Sequence, residues 1–153
     1  MTRRLSPEWW AEISHEFQAH VREEAQFLHA YRELADGIAD EGVRLLIELI
    51  VDDEERHHAL MARIAAAARG DLGEDALSAP DLSADELDRL LPPTEQFLEA
   101  EREDRRRLQE LARTLRPLQD ENLWPLLVEL MEMDTRKHVR ILEYLHHHMR
   151  TTQ

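Results

Sequence analysis

Between positions 45 and 61 the chain reads LLIELIVDDEERHHALM. Apolar residues recur there every three or four positions with no glycine or proline among them, the period of an α-helix with one buried face. The stripe through Leu46, Ile50, Leu60, Met61 and Ile64 also carries Asp53 and His57 near its centre, with Glu54 on the flank. A second segment, LLVELMEMDTRKHVRIL at 126–142, has the same layout: Leu127, Met131, Ile141, Leu142 and Leu145 enclose Asp134 and His138. Any fold of this chain must bury long helical faces and still accommodate ionisable groups set in the middle of them.

Helix punctuation predicts where the other elements lie. Ser6 is placed to cap a helix over 7–36, with Pro7 suited to its first position and Gly37 to its end. A turn around Asp40 leads to a second helix over 41–69. The stretch 70–93 mixes Gly, Pro, Ser and Asp and reads as a long crossover holding one short helical piece, Ser83 to Leu91, with a capping-box pattern from Ser83 to Glu86. A third helix is expected over 94–115 and a fourth over 122–149, Pro125 being tolerable only in a first turn. Two short connections around one long one predict an all-α four-helix bundle, a single domain over 1–153 with the crossover between helices 2 and 3.

Composition agrees with this class and narrows the partners. Of 153 residues 42% are hydrophobic and 34% charged, too apolar for a disordered chain, while 5% aromatics and four glycines disfavour a β-rich fold. A formal net charge of -14 disfavours the basic face that phosphate binding needs and predicts no nucleic-acid partner. The absence of cysteine removes disulfides, thiolate ligands and thiol nucleophiles. With no segment approaching the roughly 18 apolar residues needed to span a bilayer, and no signal-peptide pattern, a cytoplasmic protein without a membrane partner is expected. No glycine-rich phosphate loop is visible, and serines are few.

The halves overlay. Positions 45–61 align with 126–142 and keep Glu48/Glu129, Asp53/Asp134 and His57/His138 in step, while 24–35 aligns less distinctively with 101–112. On helix 1, Ile13, Phe17, Val21, Leu28, Tyr31 and Ala35 surround Glu24; on helix 3, Phe97, Leu108, Leu111, Ala112 and Leu115 surround Glu101. Each helix thus aims an ionisable side chain at the core, at similar heights. Burying unpaired carboxylates costs several kcal/mol apiece. Two divalent cations would balance Glu24, Asp53, Glu101 and Asp134, with His57 and His138 adding neutral nitrogen donors. Such a mixed set suits iron, manganese or zinc better than calcium. The plainer alternative is that each Asp–His pair satisfies itself and that Glu24 or Glu101 meets an arginine such as Arg105, leaving a non-catalytic helical interaction protein.

At these residues the chain resembles the ferritin-like superfamily, in particular its rubrerythrin-type members, whose helices 1 and 3 each give a glutamate and helices 2 and 4 each give Glu-x-x-His. EAQFLHAY resembles the helix 1 pattern and points to Glu24, DEERHH points to Glu54 and His57, and Glu101 and His138 match the positions of helices 3 and 4. The departure is Thr135, where that pattern has glutamate; Asp134 is the candidate substitute, with Asp53 its symmetric partner. The resemblance implies two iron or manganese ions bridged by carboxylates, able to reduce dioxygen or peroxide by two electrons, in an oxidase, peroxidase or ferroxidase. With no cysteine-rich domain to deliver electrons, the donor would be external.

Three further features have ordinary readings. The histidines at 146–148 suit a fraying C-terminal turn. His20 and Glu24, as His-x-x-x-Glu, are similar to part of a hemerythrin-like site, but the other histidines do not follow in its order. Trp9, Trp10 and Trp124, near helix starts, suit a homodimer interface or the closed end of a bundle.

Overall fold

A computed structural model describes residues 6–73 and 77–151. It is all-α, as the periodicity predicts, with four long helices and no strand among the described residues. The helices are α1 (Pro7–Gly37), α2 (Glu41–Ala68), α3 (Ala84–Leu115) and α4 (Trp124–Thr151), and a 3-10 turn spans Arg116–Leu118. No helix among the described residues is long and apolar enough to cross a membrane.

The expected caps are in place. Trp9 N–H donates to Ser6 Oγ at 3.3 Å and Val43 N–H to Asp40 Oδ1 at 2.9 Å, each satisfying a donor that has no partner inside its helix. Gly70 follows α2 at φ +80, a left-handed conformation that glycine adopts without strain. Trp124 N–H is held by Asn122 Oδ1 at 3.1 Å, which leaves Pro125 in the first turn of α4.

The crossover is shorter than expected. Its short helical piece is the first part of α3, which starts at Ala84 and passes through Pro92 and Pro93 instead of beginning after them. Each proline removes a backbone donor, and in a helix interior each costs about 3 kcal/mol relative to alanine. Two features offset that cost. The Ser83–Glu86 capping box is complete, with Ser83 N–H donating to Glu86 Oε2 at 2.9 Å and Glu86 N–H to Ser83 Oγ at 3.4 Å. Leu87 and Leu98, three turns apart on one face and on either side of the prolines, are both buried. Positions 74–76 of the expected crossover lie outside the described residues.

The chain forms two compact units, 1–78 and 79–153, each one antiparallel helix hairpin: α1 against α2, and α3 against α4. In the second unit α4 buries Val128, Glu132, Thr135, Val139, Leu142 and Met149. These positions recur by fours and threes, the spacing of a straight helix–helix seam, and Leu98 meets Val139 and Leu142 there. In the first unit the seam of α2 is Ile47, Val51, Glu54, His58, Met61 and Ala65, all buried or half-buried. The seams occupy matched positions of the sequence overlay: 47 with 128, 51 with 132, 54 with 135, 58 with 139, and 61 with 142.

The stripe named from sequence shares Met61 and Leu142 with this seam and otherwise lies next to it. Its members Ile50, Leu60, Met131 and Ile141 are each at least half exposed. Both α2 and α4 therefore carry two adjacent apolar seams, and the one that packs within the hairpin is displaced by a single position from the one bearing Asp53, His57, Asp134 and His138.

Candidate metal centre

The displacement decides which polar side chains meet. In the first hairpin, His20 and Glu24 stand one turn apart on α1, and His58 faces them from the inner seam of α2. His20 Nε2 lies 3.2 Å and His58 Nε2 3.1 Å from the same oxygen, Glu24 Oε2. The three donor atoms all fall within 4.8 Å of one another. Around an ion bound at about 2.0–2.2 Å, adjacent donors stand roughly 3 Å apart, so this spacing suits three neighbouring positions of one coordination shell. The imidazole rings are 6.2 Å apart and perpendicular.

Electrostatics favour the ionised ligand. The hydrogen bond with His58 holds the Glu24 carboxyl below its usual range; burial works the other way, and His20 and a hydrogen bond with Glu54 add to the lowering. The centre is also accessible. His58 is 14% exposed, Glu24 34% and His20 42%, so the set is open to solvent on one side while His58 is held in the seam. Two imidazoles and a carboxylate are the donor set that suits ferrous iron, manganese or zinc and leaves positions open for a further ligand.

Of the residues singled out from sequence, Glu24 is the one whose carboxylate oxygen both imidazoles of this group share. Glu54 lies beside it on the inner seam, with its Oε1 3.5 Å from His57 Nδ1. His57 points outward, 58% exposed, so the neighbouring His58 takes the place on α2 expected of it. Asp53 is bound by Arg56 one turn on, and Asp134 accepts from Lys137 Nζ at 2.7 Å; both are about half exposed. In the second hairpin Glu101, 13% exposed, meets His138 Nδ1 at 3.2 Å across α3 and α4. That contact is a second glutamate–histidine pair across a hairpin, although His138 aligns with His57 and not His58, and no third donor of the kind His20 supplies joins it among the described residues.

The inner seams explain the asymmetry. Where the first hairpin has Glu54 and His58, the second has Thr135 and Val139, and Thr135 Oγ1 simply bonds back to Met131 O at 3.0 Å. Where the first has Val51, the second has Glu132, a buried carboxylate that sequence reasoning overlooked. Arg105 Nε and Gln109 Nε2 each donate to Glu132 Oε1 at 3.0 Å, and Arg136 Nη2 donates to Oε2 at 2.8 Å. Burial alone would raise this carboxyl, but the three donors outweigh it and hold the group below its usual range. Arg105 thus meets Glu132, not Glu101. The signal for both His58 and Glu132 was the spacing by fours and threes through Val51–Glu54–His58 and Val128–Glu132–Thr135–Val139.

No protein-family profile, curated protein or solved structure matches this chain at a significant level.

Proposed function

We propose that this protein binds a divalent first-row transition-metal ion through His20, Glu24 and His58. The observation that carries the reading is convergence: side chains from two helices bring three donors of metal-binding type around one point, with the two imidazoles sharing a carboxylate oxygen. Salt bridges alone do not require that. Asp53 with Arg56, and Asp134 with Lys137, close within single helices, as a solvated charged surface does.

The wider proposal, a dinuclear iron or manganese centre acting on dioxygen, peroxide or iron itself, asks for a second ion. The nearest additional donors in the same hairpin are Glu54, hydrogen-bonded to Glu24, and His57 beside Glu54. A bound iron or manganese ion would supply one-electron chemistry and open coordination positions; electrons would come from an external donor, since the chain has no cysteine. Bound zinc would restrict the centre to structural or Lewis-acid roles. Within this reading Glu24 orients both imidazoles by accepting from their Nε2 atoms when no ion is present, and His58 fixes the depth of the site.

A second reading, a non-catalytic helical protein with ionic cores, draws support from Glu132, whose carboxylate is fully satisfied by protein donors. X-ray absorption of the untagged, iron- or manganese-loaded protein tests the proposal. A first shell of nitrogen and oxygen with scattering from two imidazoles is the expected result; a shell of oxygen only would mean adventitious binding to the acidic surface.

A further inference from the structure

One turn along the α1–α2 groove from the candidate metal group lies a pocket of about 230 Å³, entered from solvent and lined by Glu24, Phe27, Leu28, Tyr31, Ile50 and Glu54. It differs in kind from a second groove of the first hairpin, which is walled by Phe17, Val21 and Met61 and contains no carboxylate. At one end stand the carboxylates of Glu24 and Glu54; the rest of the wall is aromatic and aliphatic. Glu24 is at once a wall of the pocket and the residue that both imidazoles share.

Size and chemistry limit what fits. A cavity of about 150 Å³ lined by apolar side chains suffices for benzene, so this pocket takes one ring or a short chain and is too small for most cofactors. Apolar walls reward burial of hydrocarbon. The two carboxyl groups at one end offer several acceptor oxygens side by side, to which a hydroxyl donor placed between them can bond.

We infer that this pocket binds a small one-ring or short-chain molecule with a hydroxyl donor at one end, the donor turned to Glu24 and Glu54 and the apolar body lying against Phe27, Leu28, Tyr31 and Ile50. The inference deepens the metal-binding proposal by naming the class of molecule that would be held beside the ion; the pocket itself exists without the ion.

Fluorine NMR of p-fluorophenol with the full-length protein tests it. The metal-free wild type should broaden and shift the resonance saturably. Ile50→Trp, which fills the pocket, and Phe27→Ala, which removes an exposed wall, should each weaken that response, and p-fluorotoluene, lacking the donor, should bind less well. In cobalt(II)-loaded protein the bound resonance should broaden beyond that seen with zinc, as the ion lies next to the pocket. No saturable response in wild type, a response in both variants as strong as in wild type, or equal binding of p-fluorotoluene would overturn the inference. Failure of cobalt and zinc to bind would count against the metal reading alone, because the metal-free comparison still decides the pocket. Bound cobalt with no extra broadening would overturn the placement of the ligand beside the ion.

Discussion

A single position separates His57 from His58, and the two residues have opposite surroundings: one 58% exposed beside Glu54, the other 14% exposed against Glu24. On a helix one residue is a turn of about 100°, enough to carry a side chain from the surface into the seam. The motif expected from sequence favoured His57 because its partner Glu54 stands three residues before it. Packing favours His58 because it continues the spacing from Val51 and Glu54. Glu24 gives this region a pH dependence whose sign is fixed. Its carboxyl is lowered from the ordinary 4.5, so the stabilisation it confers is present above that value and is lost as pH falls through the lowered one. In metal-free protein, unfolding curves of wild type and Glu24→Gln should therefore differ at neutral pH and converge in acid below the ordinary carboxylate range. Curves that stay equally far apart in acid would remove the electrostatic role assigned to Glu24. With the proposed ion bound, acid should act sooner, since an imidazole must be neutral to bind an ion.

At the scale of elements, helix ends were readable and helix faces were not. Ser6, Asp40, Ser83 and Gly70 sit where caps belong because each meets a local need of the backbone that no tertiary contact has to supply. The faces failed because α2 and α4 each carry two apolar seams side by side, and hydrophobicity alone does not rank Ile50 and Met131 against Val51 and Val128. Pro92 and Pro93 misled for a different reason: capping and the burial of Leu87 and Leu98 outweigh a local penalty. Replacing both prolines by alanine should accordingly raise stability in urea unfolding by about 2 kcal/mol or more, whereas unchanged or lower stability would show that the prolines set a bend the hairpin needs. Arg105→Ala should destabilise the second hairpin by about 1–3 kcal/mol, because buried Glu132 then keeps fewer donors. Glu132→Leu should cost much less than that, as an apolar side chain suits the seam and the exposed arginines return to water. Comparison of the two chemical-denaturation midpoints decides it.

Across the whole molecule, net charge and the proposed ion predict separate responses. With a net charge of -14 the folded chain repels itself. Salt screens that repulsion, and an ion bound only by the folded state adds stability of about 2.7 kcal/mol at a hundredfold excess over its dissociation constant. Thermal unfolding should shift upward with sodium chloride in wild type and in His58→Ala alike, but upward with micromolar iron or manganese in wild type only. The most direct measurement is the metal content, by plasma mass spectrometry, of untagged wild type, His57→Ala and His58→Ala after supply of iron or manganese. Bound metal in wild type that persists in His57→Ala and disappears in folded His58→Ala is the predicted result. Metal retained by His58→Ala, or absent from all three proteins, would contradict a centre built on His20, Glu24 and His58.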